Sequence, residues 1–501
     1  MAYLALDVGT SSAKAAIISE RGYIIASARS EYTLFYPATG GTELEPDKVW
    51  AGVQTVLKAL APQMGTVTAM AISSLGESFV LLDEMDRPLC NSMTYLDMRG
   101  VQELEQIQAA FDSDALLTLT GTPPNVMYSL VKLCYLKRHA PESYRRAKKI
   151  CLYGDYIGYL LTGERVIDAS LASRTMLLDV HTGTWSDQLL EHFQIDRSLL
   201  SRVVFAGAPV GRVKSDMARS LELPEGIMLY AGCHDQCCAT LGAGLFRAGD
   251  MMAGVGSSES VIVLIDREKV DPPMPVLLRR QLSFEPFVHP DCFAITLGQA
   301  TYGTSLRWYV QTYEDRLRDE CARDGRDVFE ALDALAADDS RDCVFLPYLA
   351  RTQPMEKESC APGAFLGLDL KTYRGEMYQA VLEALCMETR INCDILDDLA
   401  LKPSRIVATG GCSRSSRHMQ IKADVLGLPV ETLQEANSGL VGLAMLLAVS
   451  CGDYRDLADC AKVFVHQDAR YVPTQDYHDK LIRYREIRSA IQSLYHGHEA
   501  K

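Results

Sequence analysis

Apolar positions along this chain fall in short runs that close on polar turns, and these alternate with stretches of helical period. Tyr3-Leu4-Ala5-Leu6 and Ala15-Ala16-Ile17-Ile18 flank Asp7-Val8-Gly9-Thr10-Ser11-Ser12-Ala13-Lys14, predicting two strands joined by a tight turn of glycine and hydroxyl residues. Tyr23–Ala28 predicts a third strand, and Ala69–Ser73 and Met228–Gly232 predict buried ones. Between them Pro46-Asp47 opens a helix carrying Trp50, Val53, Val56 and Leu57 at helical spacing. In the second half, Ser260–Leu264 and Ser404–Thr409 read as strands, and a helix from about Arg417 is stopped by Gly427. Tyr477, Leu481, Tyr484, Ile487, Ile491 and Leu494 form one face of a docked terminal helix. Strands alternating with helices place the chain in the α/β class.

The first hairpin has chemical content. Its backbone N–H groups, with the hydroxyls of Thr10, Ser11 and Ser12, suit a phosphate, and the Asp7 carboxylate sits where a divalent cation on that phosphate needs an oxygen ligand. A surface hairpin with a polar turn is the plainer alternative. Met252-Ala253-Gly254-Val255-Gly256-Ser257-Ser258-Glu259 repeats the Val-Gly-hydroxyl-hydroxyl core with Gly254 in place of the acid. That repeat points to two like-folded halves facing one nucleotide, only the first holding metal; a chance match of so short a motif is the alternative. The pair Gly410-Gly411 ends a strand and precedes a helix, where backbone can approach a flat ligand closely or simply make a tight crossover.

Asp235, at the end of a predicted strand, is the candidate for taking a proton from a hydroxyl that attacks phosphorus. Its alternative is a helix N-cap. His234 beside it suits orienting a substrate, or bonding a nearby carbonyl. Gly76 and Glu77, with Asp97 and Arg99, lie at strand ends and supply the fixed donors and acceptors of a polyhydroxylated ligand; singly, each reads as a surface charge. Cys233, Cys237 and Cys238 match no zinc spacing and read as packing thiols. No GxxxxGK[ST] or GxGxxG fingerprint supports a P-loop or Rossmann reading.

Composition narrows the partners. A chain of 501 residues exceeds one core, so two domains are expected, residues 1–245 and 246–501. With 65 acidic against 50 basic residues and no long basic run, neither nucleic acid nor an anionic membrane is an expected partner. Asp7 interrupts the first apolar stretch, so no secretory signal is read, and fifteen cysteines read as reduced thiols in a cytoplasm.

These segments together resemble the FGGY carbohydrate kinases of the sugar kinase, heat-shock and actin ATPase superfamily. The likeness runs from the Asp7–Lys14 hairpin through Asp155-Tyr156-Ile157, Ala169–Thr175 and Gly232–Asp235. It is most specific at Gly363–Leu368 with Glu376–Glu383, and at Gly410–Ser413 with Ala423–Val430. The resemblance implies two ribonuclease H-like, actin-like ATPase domains with ATP and sugar in an interdomain cleft. It implies Mg²⁺ near Asp7, Asp235 as catalytic base, and Gly256, Ser257, Gly303, Gly410 and Gly411 beside ATP together with Thr10, Ser11, Ser12 and Lys14. Gly76, Glu77, Asp97, Arg99, His234 and Asp235 are the expected sugar contacts, and a homodimer is what the family likeness implies. Glu77 stands where many members carry glutamine and His234 where many carry glycine, which bears on substrate rather than reaction. The added charge of Glu77 disfavours a carboxylate-bearing substrate, so the expectation is a neutral ketose, a pentulose such as xylulose first. An aldonate such as gluconate, an alditol, or a non-catalytic sugar or nucleotide sensor are the alternatives.

Overall fold

A computed structural model describes residues 2–38, 40–299, 301–349, 362–435 and 437–496. Its contacts divide the chain into two units: Met1–Ala248 with Leu264–Ile295 and Asn437–Val465, and Gly249–Val263 with Thr296–Ala436 and His466–Lys501.

In the first unit, β1 (Ala2–Val8), β2 (Ser12–Ser19), β3 (Ile24–Glu31), β4 (Val67–Ser74) and β5 (Met228–His234) form one sheet in the order β3-β2-β1-β4-β5, with Pro209–Arg212 at its edge beyond β5. The first three strands are antiparallel, and β4 and β5 then run parallel to β1. Burial follows from position. β1 and β4 are covered on both faces and read as nearly continuous apolar runs, whereas β3 alternates between half-buried and exposed residues. The β1–β2 register sets Asp7 directly opposite Lys14.

A second sheet repeats the plan. β6 (Met251–Val255) and β7 (Glu259–Asp266) make an antiparallel hairpin, and β6 pairs in parallel with β9 (Ile406–Thr409), which pairs in parallel with β10 (Val430–Leu433). With β8 (Cys292–Gln299) the order is β8-β7-β6-β9-β10, the same as in the first sheet, followed by an edge strand Gln467–Tyr471. The repeated Val-Gly-hydroxyl-hydroxyl motif is therefore the first turn of each sheet. The α/β class expected from the sequence is the class observed.

Two helices pack closely within the first unit. In α1 (Asp235–Gly242) and α2 (Ser438–Ser450), glycines meet backbone. A Cβ on Gly242 would lie 1.8 Å from the Ser438 carbonyl oxygen, and one on Gly442 would lie 2.0 Å from that of Cys238. Gly442→Ala must push these backbones apart, and the expected loss is about 3 kcal/mol, the upper end of ordinary overpacking. Equilibrium denaturation measures it, and an unchanged midpoint would refute the close approach. Among the described residues no helix is long and apolar enough to cross a membrane.

Candidate active site

The turn between β1 and β2 is held from below. Gly9 N–H donates to the Ser12 carbonyl at 3.0 Å, and the Tyr32 hydroxyl donates to the Gly9 carbonyl at 2.6 Å. The hydroxyl-bearing residues Thr10 and Ser11 stay at the surface, and Ser12 starts β2. One Asp7 oxygen accepts from the Ser73 hydroxyl at 2.8 Å. Burial, and next the charge of Asp235, push the Asp7 carboxyl up to about 6, against the pull of Lys14 and Ser73. Two carboxylates thus sense each other inside one unit.

Asp235 is the first residue of α1; its neighbour His234 takes the N-cap position and no side-chain cap bond is made there. Its side chain keeps one-third of its exposure (33 %), and its Oδ1 lies 3.3 Å from His234 Nε2. His234 Nδ1 in turn lies 3.2 Å from Glu285 Oε1. Glu285 Oε2 is 3.6 Å from the Arg174 guanidinium, which donates to Glu77 Oε1 at 2.8 Å and 2.5 Å. An alternating row of charges therefore runs Glu77, Arg174, Glu285, His234, Asp235. Burial disfavours the charge on His234, but Glu285 and Asp235 outweigh it and raise the imidazole to about 9. Burial raises Asp235, and His234 opposes that rise.

Sequence reasoning assigned no role to Arg174 or Glu285, and the structure corrects one consequence. Glu77 is not a spare negative charge, because Arg174 engages it directly. Glu77 is 4 % exposed and sits at a φ of 60°, a left-handed conformation uncommon for a side chain of its size. Its carbonyl accepts from the Ser129 hydroxyl at 2.6 Å. Gly76 beside it allows close approach: a Cβ there would lie 2.9 Å from Arg174 Cγ and 3.3 Å from His234 Nε2.

Asp97 and Arg99 bond chiefly to one another. The buried Asp97 carboxylate accepts from Arg99 and from the Thr42 backbone, while Arg99 also donates to Glu43 at 2.6 Å. Lys132 connects this pair to the Glu77 region: burial lowers its amine to about 8, and the charges of Glu77 and Asp97 oppose that fall. Tyr95 feels Glu77 and Asp235 and interacts with Thr10, so the loop it belongs to joins the hairpin to the row of charges.

The second unit gathers its own predicted residues. Gly303 N–H donates to the Gly256 carbonyl at 3.0 Å, and Thr304 N–H donates to that of Ser257 at 3.0 Å. A Cβ on Gly303 would lie 2.4 Å from Gly256 O, and one on Gly410 would lie 2.9 Å from Val255 O. Gly410 also has a φ of 94°, so glycine is required there on both counts. Gly411 has open space where a side chain would stand. Arg307, which the sequence reading passed over, donates to the Ser257 hydroxyl at 2.9 Å and brings a cation to this loop.

Beneath these loops lies a fully buried polar cluster. Lys422 Nζ donates to Glu259 Oε1 at 2.5 Å, to Thr389 Oγ1 at 3.1 Å and to the Tyr302 hydroxyl at 3.2 Å. Thr389 donates to the other Glu259 oxygen at 2.6 Å. The Tyr302 hydroxyl lies 2.8 Å from His418 Nε2, and burial with the Lys422 charge lowers that imidazole to about 3, which keeps the ring neutral. Glu259 and Tyr302 are chain neighbours of the Ser257-Ser258 turn and of Gly303, which ties the cluster to both loops.

Comparison with known proteins gives the family and the fold. The N-terminal domain model of the FGGY family of carbohydrate kinases matches residues 2–242, and the C-terminal domain model matches residues 251–451. The chain is 26 % identical over 500 residues to a xylulose kinase of Lactococcus lactis, covering 98 % of this chain and 96 % of that one. It is 28 % identical over 517 residues to a glycerol kinase of Xanthobacter autotrophicus, covering 98 % of each. The crystal structure of a xylulose kinase from Rhodospirillum rubrum superposes with a TM-score of 0.88 at 28 % identity, covering 99 % of this chain and 100 % of that one. Matched over residues 2–242 by one domain model and 251–451 by the other, the chain belongs to the FGGY family of carbohydrate kinases.

Proposed function

We propose that this carbohydrate kinase moves the γ-phosphoryl group of ATP onto a hydroxyl of a small neutral sugar, a ketose and within that class a pentulose, with Asp235 as general base. The observation that carries the reading is the pair Asp7 and Asp235: two carboxylates of one unit, close enough for the charge of one to raise the other. Asp235 accepts the proton of the attacking hydroxyl as that oxygen approaches phosphorus. The Thr10–Ser12 turn with Lys14 takes phosphate oxygens, and Gly256, Ser257, Gly303, Gly410 and Gly411 supply the nucleotide contacts of the second unit. Asp7 fits Mg²⁺, since it offers hard oxygen ligands and carries a charge that burial and Asp235 leave undercompensated. Bound there, Mg²⁺ would neutralise phosphate charge.

Neutrality of the acceptor is supported by pairing rather than by surplus charge. Arg174 faces Glu77 and Glu285, His234 faces Glu285 and Asp235, and Arg99 faces Asp97 and Glu43. Each of these cations already has a protein carboxylate, so a substrate carboxylate would compete for them. An alditol is the second neutral class, favoured by the likeness to a glycerol kinase. A coupled assay of ADP release across ketoses, alditols and aldonates separates these classes, and the expected order puts a ketopentose first in kcat/KM. Preference for an aldonate would overturn the pairing argument. Absence of ADP release with every acceptor would overturn the kinase reading itself, in favour of a non-catalytic sensor.

A further inference from the structure

Glu285 stands in strand Phe284–Pro286, which pairs with the start of β8 at Phe293–Ile295. It is 2 % exposed. A carboxylate this deeply buried needs cationic or hydrogen-bonding partners, and it has three neighbours. His234 Nδ1 and Cys237 Sγ lie 3.2 Å and 3.7 Å from its Oε1, and Arg174 lies 3.6 Å from its Oε2. Its Oε2 makes no hydrogen bond among the described residues, so its hold on Arg174 is one of charge. The path outward runs through the other nitrogen of His234, which is 3.3 Å from Asp235.

We infer that Glu285 is a positioning residue for phosphoryl transfer: it holds His234 as the cation that fixes the Asp235 carboxylate in place. The inference rests on Asp235 being the base. Two further features make the imidazole a rigid intermediary. The His234 backbone N–H donates to the Ser170 hydroxyl at 2.9 Å, and that hydroxyl donates to Asp168 at 2.7 Å. Gly76 lets its backbone lie close against the ring, a carbon added there coming within 3.3 Å of Nε2. A neutral imidazole could bond Glu285 but would carry no charge toward Asp235; the imidazolium keeps the Glu285 hydrogen bond and the Asp235 ion pair together. The second carboxylate is therefore what keeps the first one served.

The groups facing His234 are Glu285 from its strand, Asp168 and Arg174 from the segment around Ala169–Ser173, and Asp235 and Cys237 from α1. Removing the Glu285 charge leaves Arg174 with Glu77 as its carboxylate partner, and leaves Asp235 and the more distant Asp168 as the acids facing the ring. The imidazole then falls toward its neutral form near neutral pH, and Asp235 loses the positive neighbour that resists its protonation. The acid limb of the kcat profile moves to higher pH as a result.

The test uses the full chain with Mg-ATP and the acceptor ranking first in the panel above, D-xylulose on the proposed reading. Glu285→Gln is expected to lower kcat by about tenfold to a hundredfold, the order that a misplaced catalytic group costs. KM for ATP should stay within about twofold, and Glu285→Asp should restore part of the loss. His234→Asn should add little on top of Glu285→Gln, because both break the same link. In ¹⁵N-histidine spectra at pH 7.5, the resonance missing from His234→Asn should move from imidazolium to neutral positions in Glu285→Gln. Wild-type kcat and pH profile in Glu285→Gln, or losses that multiply in the double variant, would overturn the inference. If Asp235→Asn alone kept full turnover the base assignment would fail, whereas an unmoved His234 resonance would reject the link to Glu285 itself. Should Glu285→Gln not fold, Glu285→Asp with the same spectra and profile reads the same link.

Discussion

Asp235→Asn is expected to lower kcat by about 10²–10⁴, the usual worth of a positioned general base. The amide keeps the size of the side chain and removes its ability to accept a proton. It also leaves His234 facing one carboxylate, Glu285, instead of two. KM for ATP should move little, because the nucleotide loops of the second unit are formed by other residues. The asymmetry between kcat and KM is the informative part: a loss shared equally with the ATP constant would mean a distorted protein rather than a missing base. Steady-state kinetics with the acceptor and ATP varied in turn supplies both numbers. Turnover at the wild-type rate would remove Asp235 from the chemistry.

The second large effect is on stability. Lys422→Met leaves Glu259 as a buried carboxylate with, among the described residues, Thr389 as its remaining side-chain hydrogen-bond donor, and removing one partner of such a pair costs about 3–5 kcal/mol. Lys422 and Glu259 side chains are 0 % and 1 % exposed, so water cannot replace the lost ammonium. Substituting both, as Lys422→Met with Glu259→Leu, should recover much of the loss, because an apolar pair of similar size has no stranded charge. Denaturant unfolding of the three proteins compares them directly. A single substitution that changed stability by less than 1 kcal/mol would show that solvent reaches the pair.

How far the sequence could be read depends on the range of the interaction. Asp7 and Asp235 were legible because each ends an apolar run, and a strand ending in a carboxylate is a local pattern. The buried strands were legible for the same reason: β1, β4 and β5 are flanked on both faces and carry almost no alternation. Arg174 and Glu285 were not, although Arg174 lay inside a quoted segment, because their partners are distant in the chain. Which acid an arginine meets is decided by the packing of the fold. A signal for Glu285 did exist. It is a lone acid within Phe284-Glu285-Pro286-Phe287, and a charge inside an apolar stretch must find a partner. For Asp97 and Arg99 the residue types were right for binding a polyol, but equally right for binding each other, and sequence cannot choose between those.

The helix α2 has a consequence for how the protein is made. Residues 243–437 intervene between it and α1, yet its glycine-lined face abuts the helix that begins at Asp235. A nascent chain emerging from the ribosome can pair β1, β2 and β3 early, but the partner that clamps α1 is among the last segments synthesised. Maturation of the Asp235 corner is thereby deferred until translation is nearly complete, and a polypeptide truncated before Ser438 would carry its phosphate hairpin on an unfinished core.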